Sequence, residues 1–425
     1  MYPKIFRVIK FLNFQKVKKM TKSPFLISLI SIFFLVFTSC EKNVEKEKTS
    51  MQTIVNESLD FSVQQSLKMA ESLKDEANVL PKTTDRFGNL ETCESKWWVS
   101  GFFPGTLWYL YEYSNNEDVK KWANEYTLRV KDEQFTTDNH DVGFMIYCSF
   151  GNAYRITKDV EYLEAIHNAS KSLSTRFNPV TKTIRSWDSS GPNNSWQYPV
   201  IIDNMMNLEL LMWTSEKFKD SSFKNIALTH ANTTIKNHFR KDNSSYHVIS
   251  YDTISGEAVL KQTAQGFNNE SAWARGQAWG LYGYTLMYRF TKDPMYLHQA
   301  ENIANFLLDH PNFPEDKIPY WDFNAPNIPD TLRDASAGAI MCAALIELSQ
   351  YATTKNSDKY LKTAETQIRT LSSPQYRNAL GNNANFILKH GVGHLPANSE
   401  VDVPLSYADY YFVEALMRYK KLKGF

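Results

Sequence analysis

From about residue 60 to the C-terminus, apolar residues recur at helical spacing, and strand-like alternation is almost absent. The pattern predicts twelve helices, at 61–77, 102–114, 117–132, 142–157, 160–175, 200–217, 221–239, 272–291, 294–309, 335–352, 358–372 and 404–422. A weak repeat joins them in pairs: Lys158-Asp159-Val160-Glu161-Tyr162, Lys219-Asp220-Ser221-Ser222-Phe223, Lys292-Asp293-Pro294-Met295-Tyr296 and Asn356-Ser357-Asp358-Lys359-Tyr360. Asp159, Asp220, Asp293 and Ser357 stand where an N-cap side chain accepts a backbone N–H. One helix of each pair is nearly all apolar and its partner is amphipathic, the patterns of an inner and an outer helix. Six such hairpins predict an all-α (α/α)6 toroid, with an open solenoid as the alternative. The long connections at 176–199, 240–271, 310–334 and 373–403 all run from an outer helix to the next inner one. They therefore gather on one face and form a mouth rich in Trp, Asn and Gly.

The first sixty residues follow a different rule. An apolar run from Phe25 to Phe37 is preceded by Lys22 and followed by Thr38-Ser39-Cys40. This reads as a secretory signal of lipoprotein type over 1–40, lipidated at Cys40. An ordinary signal or an anchor helix is the alternative. Met20 makes a normal initiator. Residues 41–59 read as a polar tether, leaving 60–425 as the helical domain. The expected location follows: export across the inner membrane and a lipid anchor in the outer membrane, on its periplasmic face or at the cell surface.

Charge is balanced, 47 basic against 46 acidic side chains, so no nucleic-acid partner is expected. Cys93, Cys148 and Cys342 show no metal or disulfide spacing. No HxxxH, Ser-centred elbow or phosphate-cradling glycine loop appears, and no cofactor or metal is expected.

What stands out is acid in apolar surroundings. Asp141 heads the run Val142 to Tyr154, and Asp203 lies within Pro199 to Met206. Carboxylates are rarely buried unless paired or put to use. Asp141 reads equally as a helix cap, and Asp203 less readily so. Arg275 and Trp279 lie four apart on one helix face, suited to a carboxylate and a sugar ring, or else to a structural ion pair. Trp98, Trp187 and Trp196 are stacking platforms or core plugs. His247 lies in a strand-like loop, and His390 and His394 flank Gly391-Val392-Gly393 near the mouth.

Taken together, Lys96-Trp97-Trp98-Val99-Ser100-Gly101-Phe102, His140-Asp141-Val142-Gly143-Phe144, Ile202-Asp203-Asn204-Met205-Met206-Asn207 and Ala272-Trp273-Ala274-Arg275-Gly276-Gln277-Ala278-Trp279-Gly280 resemble the unsaturated glucuronyl hydrolases, glycoside hydrolase family 88. Arg333-Asp334-Ala335-Ser336-Ala337 and Asp409-Tyr410-Tyr411-Phe412-Val413-Glu414-Ala415 look similar too. The resemblance implies an (α/α)6 enzyme that removes a 4,5-unsaturated uronic acid from lyase-generated oligosaccharides by hydrating the vinyl ether; a lipid-anchored, secreted enzyme suits fragments of ulvan or glycosaminoglycan. The resemblance implies Asp203 as the proton donor and Asp141 as the second essential acid. It further implies substrate contacts at Trp98, His247, Thr263, Gln265, Arg275, Trp279 and Ser399, with the Lys389–Ser399 loop toward the leaving sugar. The alternatives are an enzyme of the unsaturated rhamnogalacturonyl type, a lipid-anchored glycan-binding protein without catalysis, and a toroidal polysaccharide lyase.

Overall fold

The computed structural model describes residues 49–191 and 194–425. The signal, Cys40 and the first part of the tether lie outside the described residues. Within the compact unit Ser50–Phe425, the inner helices are α2 (Phe102–Ser114), α4 (143–157), α6 (Asn204–Phe218), α8 (Ala274–Thr291), α10 (Ala335–Leu348) and α12 (Ser406–Lys423). The outer helices are α1 (Met51–Ser72), α3 (Glu117–Arg129), α5 (Val160–Ser174), α7 (Ser221–His238), α9 (Pro294–Asp309) and α11 (Thr354–Leu371). Each inner helix packs on the next, and α12 packs back on α2, so the ring is closed and the open solenoid is excluded. All 14 residues of α10 are buried, which only an inner position explains.

The predicted hairpin turns are two residues long. Lys158, Lys219 and Lys292 take left-handed backbone (φ 62°, 58° and 57°) and stop the inner helix. The next residue caps the outer helix: Asp159 accepts from the Glu161 N–H, Asp220 from Ser222 and Asp293 from Met295. Asn115 and Asn116 form a further copy of this turn.

Three expectations need correction. Helix α1 begins at Met51, not 61, capped by Ser50. Residues 51–59, expected as tether, are thus helical, and Val55 and Leu59 are buried against the ring. Helix α11 starts at Thr354, so Ser357 is no cap and instead donates to the Ser349 carbonyl at 2.6 Å. The long connections also hold short antiparallel strands: β1 (Val79–Thr84) with β2 (Leu90–Glu94), β3 (Phe177–Asn178) with β4 (Thr183–Ile184), β5 (Pro199–Ile201) with β6 (Val248–Tyr251) and β7 (Ala258–Gln262), and β8 (Gly391–His394) with β9 (Ser399–Val403). Strand β5 replaces the first turn expected of the 200–217 helix. It places Asp203 at a strand-to-helix junction rather than inside a helix.

Helix α4 opens as a π-helix over Gly143–Gly151 before continuing as α-helix over Asn152–Thr157. Helix α2 approaches it at van der Waals limits. A Cβ at Gly101 would lie 2.2 Å from the Phe144 carbonyl oxygen, and one at Gly105 would lie 2.4 Å from that of Cys148. Gly101→Ala is expected to cost about 1–3 kcal/mol, the usual penalty of overpacking a rigid core. Urea unfolding measures it, and an unchanged midpoint would contradict this packing.

Candidate active site

The mouth face collects the ends of the β strands and the starts of the inner helices, and there the two aspartates meet. Asp141 stands two residues before the π-helix, ahead of its N-cap Val142. Its backbone N–H is held by Asn139 Oδ1 at 2.8 Å, and its Oδ1 lies 3.3 Å from Nε2 of the buried His140. Asp203 occupies the N-cap position of α6 yet makes no capping bond. It is 8% exposed, and its Oδ2 has no hydrogen-bond partner in the protein. It is therefore neither a cap nor a satisfied core acid.

Burial raises both carboxyls, Asp141 to about 8 and Asp203 to about 7. The Asp203 charge raises Asp141 further, so the two are close enough to compete for protons. Arg275 opposes the rise at Asp203, and Trp279 tempers it to a smaller extent. Burial and mutual repulsion hold a proton on the pair near neutral pH.

His247 lies at the head of β6 with its Nε2 at 3.8 Å from Asp203 Oδ2. Its Nδ1 accepts the backbone N–H groups of Ala264 (3.2 Å) and Gln265 (3.3 Å), with Thr263 Oγ1 at 3.4 Å. An acceptor at Nδ1 puts the ring proton on Nε2, facing Asp203. Burial, then Arg275, keeps this imidazole neutral, well below its ordinary pKa. Thr263 and Gln265 thus touch the site through His247. The Gln265 side chain also donates to the Gly393 carbonyl at 2.9 Å, tying the β7 end to β8.

Arg275 is 1% exposed and already engaged. It donates to Asp334 Oδ2 (3.2 Å) and to the carbonyls of Val392 (2.5 Å) and Gly393 (2.6 Å), and it stacks on Trp273. The structural ion pair weighed from sequence is present, and the guanidinium keeps Nε without a partner. Trp279 is fully buried against Phe144 and Tyr411, so it forms the floor and offers no open platform. Trp98 is partly exposed, on a wall with Phe144 and Tyr407. Ser399 is exposed at the start of β9.

Trp187 reaches the Asp141 segment through its backbone bridge to Asn139, and the remaining candidates have partners of their own. Trp187 packs on Trp196, whose Nε1 donates to Gln262 Oε1 at 2.5 Å. Asp188 is tied to Arg176 at 3.0 Å. Lys389 donates to the Pro374 carbonyl at 2.7 Å, and His390 pairs with Asp402 at 2.7 Å on the surface. His394 Nε2 meets the Ala264 carbonyl at 2.9 Å, beside the His247 loop.

Sequence reasoning missed Tyr407, whose buried hydroxyl has no protein partner and whose ring lies 5.3 Å from the Arg275 guanidinium carbon. It also missed His140 as a neighbour of Asp141, although their adjacency in the chain was a usable signal. Among the described residues, Asp203 Oδ2, His247 Nε2, Arg275 Nε, Trp279 Nε1 and Tyr407 Oη are all buried without a protein partner. Buried polar atoms are nearly always satisfied, so several orphans around one carboxylate mark a site shaped for a polar ligand.

A closed helical toroid with a carboxyl pair held near neutral pKa at its mouth defines a glycosidase-type site. No protein-family model matches the chain. The unsaturated glucuronyl hydrolase of Formosa agariphila is 48% identical over 329 residues, covering 77% of this chain and 81% of that protein. The unsaturated glucuronyl hydrolase of Bacillus sp. strain GL1 is 31% identical, covering 81% and 94%. Among solved structures, an unsaturated glucuronyl hydrolase specific for heparin superposes with TM-score 0.83 at 47% identity, covering 87% of this chain and 98% of that one.

The chain belongs to the unsaturated glucuronyl hydrolase family. It is a glycosidase that removes the 4,5-unsaturated uronic acid from the non-reducing end of lyase-generated oligosaccharides by hydrating the vinyl ether. The rhamnogalacturonan, binding-only and lyase alternatives find no support in these relatives.

The raised carboxyl pKa values carry a stability consequence. Between the unfolded value of about 4 and the folded values, the unfolded chain gives up protons that the native pair retains. Stability from this pair is therefore complete at acid pH and is lost as pH rises through about 7 to 8. Asp203→Asn, which cannot ionise, is expected to raise the melting temperature relative to wild type at alkaline pH and to change it little near pH ~4. Calorimetry at the two pH values checks this, and a difference independent of pH would contradict the burial of Asp203.

Proposed function

We propose that Asp203 is the proton donor and Asp141 the second acid of this hydration. Asp203 delivers its proton to C4 of the unsaturated ring. It then takes a proton from the water whose oxygen adds at C5. The hemiketal so formed opens and expels the leaving sugar, and no covalent sugar–enzyme bond is needed. The observation that supports this most is the partnerless Oδ2 of Asp203, raised by burial and faced by a neutral His247 N–H. The proton held by the pair serves the reaction when it sits on Asp203, which leaves Asp141, with His140 Nε2 against it, as the charged partner that positions the ring and counters its positive charge.

His247 Nε2, Trp98 and Tyr407 border the same space and are assigned to the uronate ring. Arg275 contributes its positive charge and its uncommitted Nε–H to the uronate carboxylate, while its other bonds go to Asp334 and the β8 carbonyls. Ser399, on the β8–β9 hairpin, is assigned to the leaving-sugar side.

For the leaving sugar, the 47% identity to a structure described as specific for heparin supports a glycosaminoglycan disaccharide of heparin type. The unsaturated chondroitin disaccharide hydrolases of Streptococcus agalactiae and Streptococcus pyogenes are less similar, at 33% and 29%. Ulvan-type fragments are the second substrate class, which suits a secreted, anchored scavenging enzyme and rests on no particular residue.

We infer from the sequence that Cys40 carries a lipid anchor. The outer helix α1 starts at the short-turn face, where Asn56 Oδ1 accepts from Lys420 at 3.1 Å and Asp60 accepts from Tyr113 at 2.8 Å. It ends at the mouth face, where Gln65 is held by the Asn382 and Phe386 carbonyls.

Asp203→Asn is expected to abolish loss of the ultraviolet absorbance of unsaturated disaccharides while leaving binding and folding intact. A fully active variant would end the proton-donor assignment. Across a panel of heparin, chondroitin and ulvan lyase products, the heparin disaccharide is expected to give the highest kcat/KM. A preference for another product would overturn the leaving-sugar assignment alone.

A further inference from the structure

At the short-turn face, opposite the mouth, lies a cavity of about 400 Å³, within the ~300–1,000 Å³ range of small-molecule sites. Phe144 and Tyr411, both almost wholly buried, close it at depth, and both also touch Trp279 on the catalytic side. The two chambers are thus separated by one aromatic layer, and none of the assigned catalytic groups lines the second.

One wall of this cavity is aromatic. Trp213 is half-buried, between Tyr147 at 6.0 Å and Tyr154 at 5.6 Å. Both rings meet it tilted or edge-on, so neither covers its face. The opposite wall is charged and internally paired. Arg289 pairs with Glu209 at 2.5 Å and with Glu347 at 2.7 Å. Arg418 pairs with Glu347 at 2.7 Å and with Glu414 at 3.0 Å. Burial works against the Glu347 charge, but the two guanidinium groups hold its pKa down at about 2. This network sets three carboxylates against two guanidinium groups, and Arg155 on the same lining is paired with Glu112, so the wall offers little to draw an anion. It does offer fixed donors and acceptors facing an open indole, which is the chemistry that recognises an uncharged sugar ring.

We propose that this cavity is a second saccharide site, taking a neutral mono- or disaccharide stacked on Trp213 with its hydroxyls on the Glu209–Arg289 edge. The proposal is independent of the catalytic reading, because its ligand needs neither unsaturation nor a carboxylate. The test uses cellobiose and N,N′-diacetylchitobiose as probes, followed by saturation-transfer NMR on the full enzyme, its Trp213→Ala variant and its Trp98→Ala variant. Circular dichroism and retained turnover of an unsaturated disaccharide by Trp213→Ala certify its fold. The expected result is binding of at least one probe by wild type, weakened about tenfold by Trp213→Ala and unchanged by Trp98→Ala, which alters the mouth. Every other pattern, including no binding by wild type or loss through Trp98→Ala, overturns it.

Discussion

Everything at the mouth depends on keeping two carboxyl groups out of water. In bulk solvent both would ionise near pH ~4 and neither could deliver a proton at neutrality. Burial at the rim of the ring raises both, and their repulsion makes the raised state a property of the pair. The surrounding groups moderate rather than cancel this. Arg275 pulls Asp203 down but spends most of its donors on Asp334 and the β8 carbonyls. His247 stays neutral and so adds no competing charge. The arrangement stores unfavourable desolvation where the reaction needs an acid, and the helical body supplies the stability that sustains it.

The ring is what makes such burial possible. Its sixth pair joins α1 to α12, from opposite ends of the described chain, so closure is a long-range event. Once closed, the inner helices bury nearly all their surface, and the aromatic layer of Phe102, Phe144, Trp279 and Tyr411 seals the axis beneath the acids. The glycines of α2 set how closely that helix approaches α4, and hence where Asp141 stands at the head of the π-helix.

What the sequence made legible was local. The hairpin turns were visible through their capping aspartates, because a cap is chemistry of adjacent residues, whereas the left-handed lysines before them were not. Asp141 and Asp203 were visible because a carboxylate among apolar neighbours violates a strong preference. Less legible was anything set by distant partners. Arg275 finds Asp334 59 positions away and Val392 117 away, so its structural engagement cannot be read from its own helix. Strands as short as β3–β5 carry too few residues for alternation to show, and their existence is settled by tertiary pairing. The early start of α1 was hidden because between 51 and 59 only Val55, Ser58 and Leu59 are fully buried, a sparse stripe that resembles a polar tether.

The most direct test of the account is a carboxyl titration of the native enzyme by ¹³C NMR with labelled aspartate, assigned through Asp141→Asn and Asp203→Asn. The account predicts that one proton stays on the pair into the neutral range. It also predicts that Asp141→Asn leaves Asp203 titrating well above an ordinary carboxylate, because burial is the largest cause of its shift. Titration of both groups near pH ~4 would show that they are solvated, and would contradict the claim on which the mechanism stands.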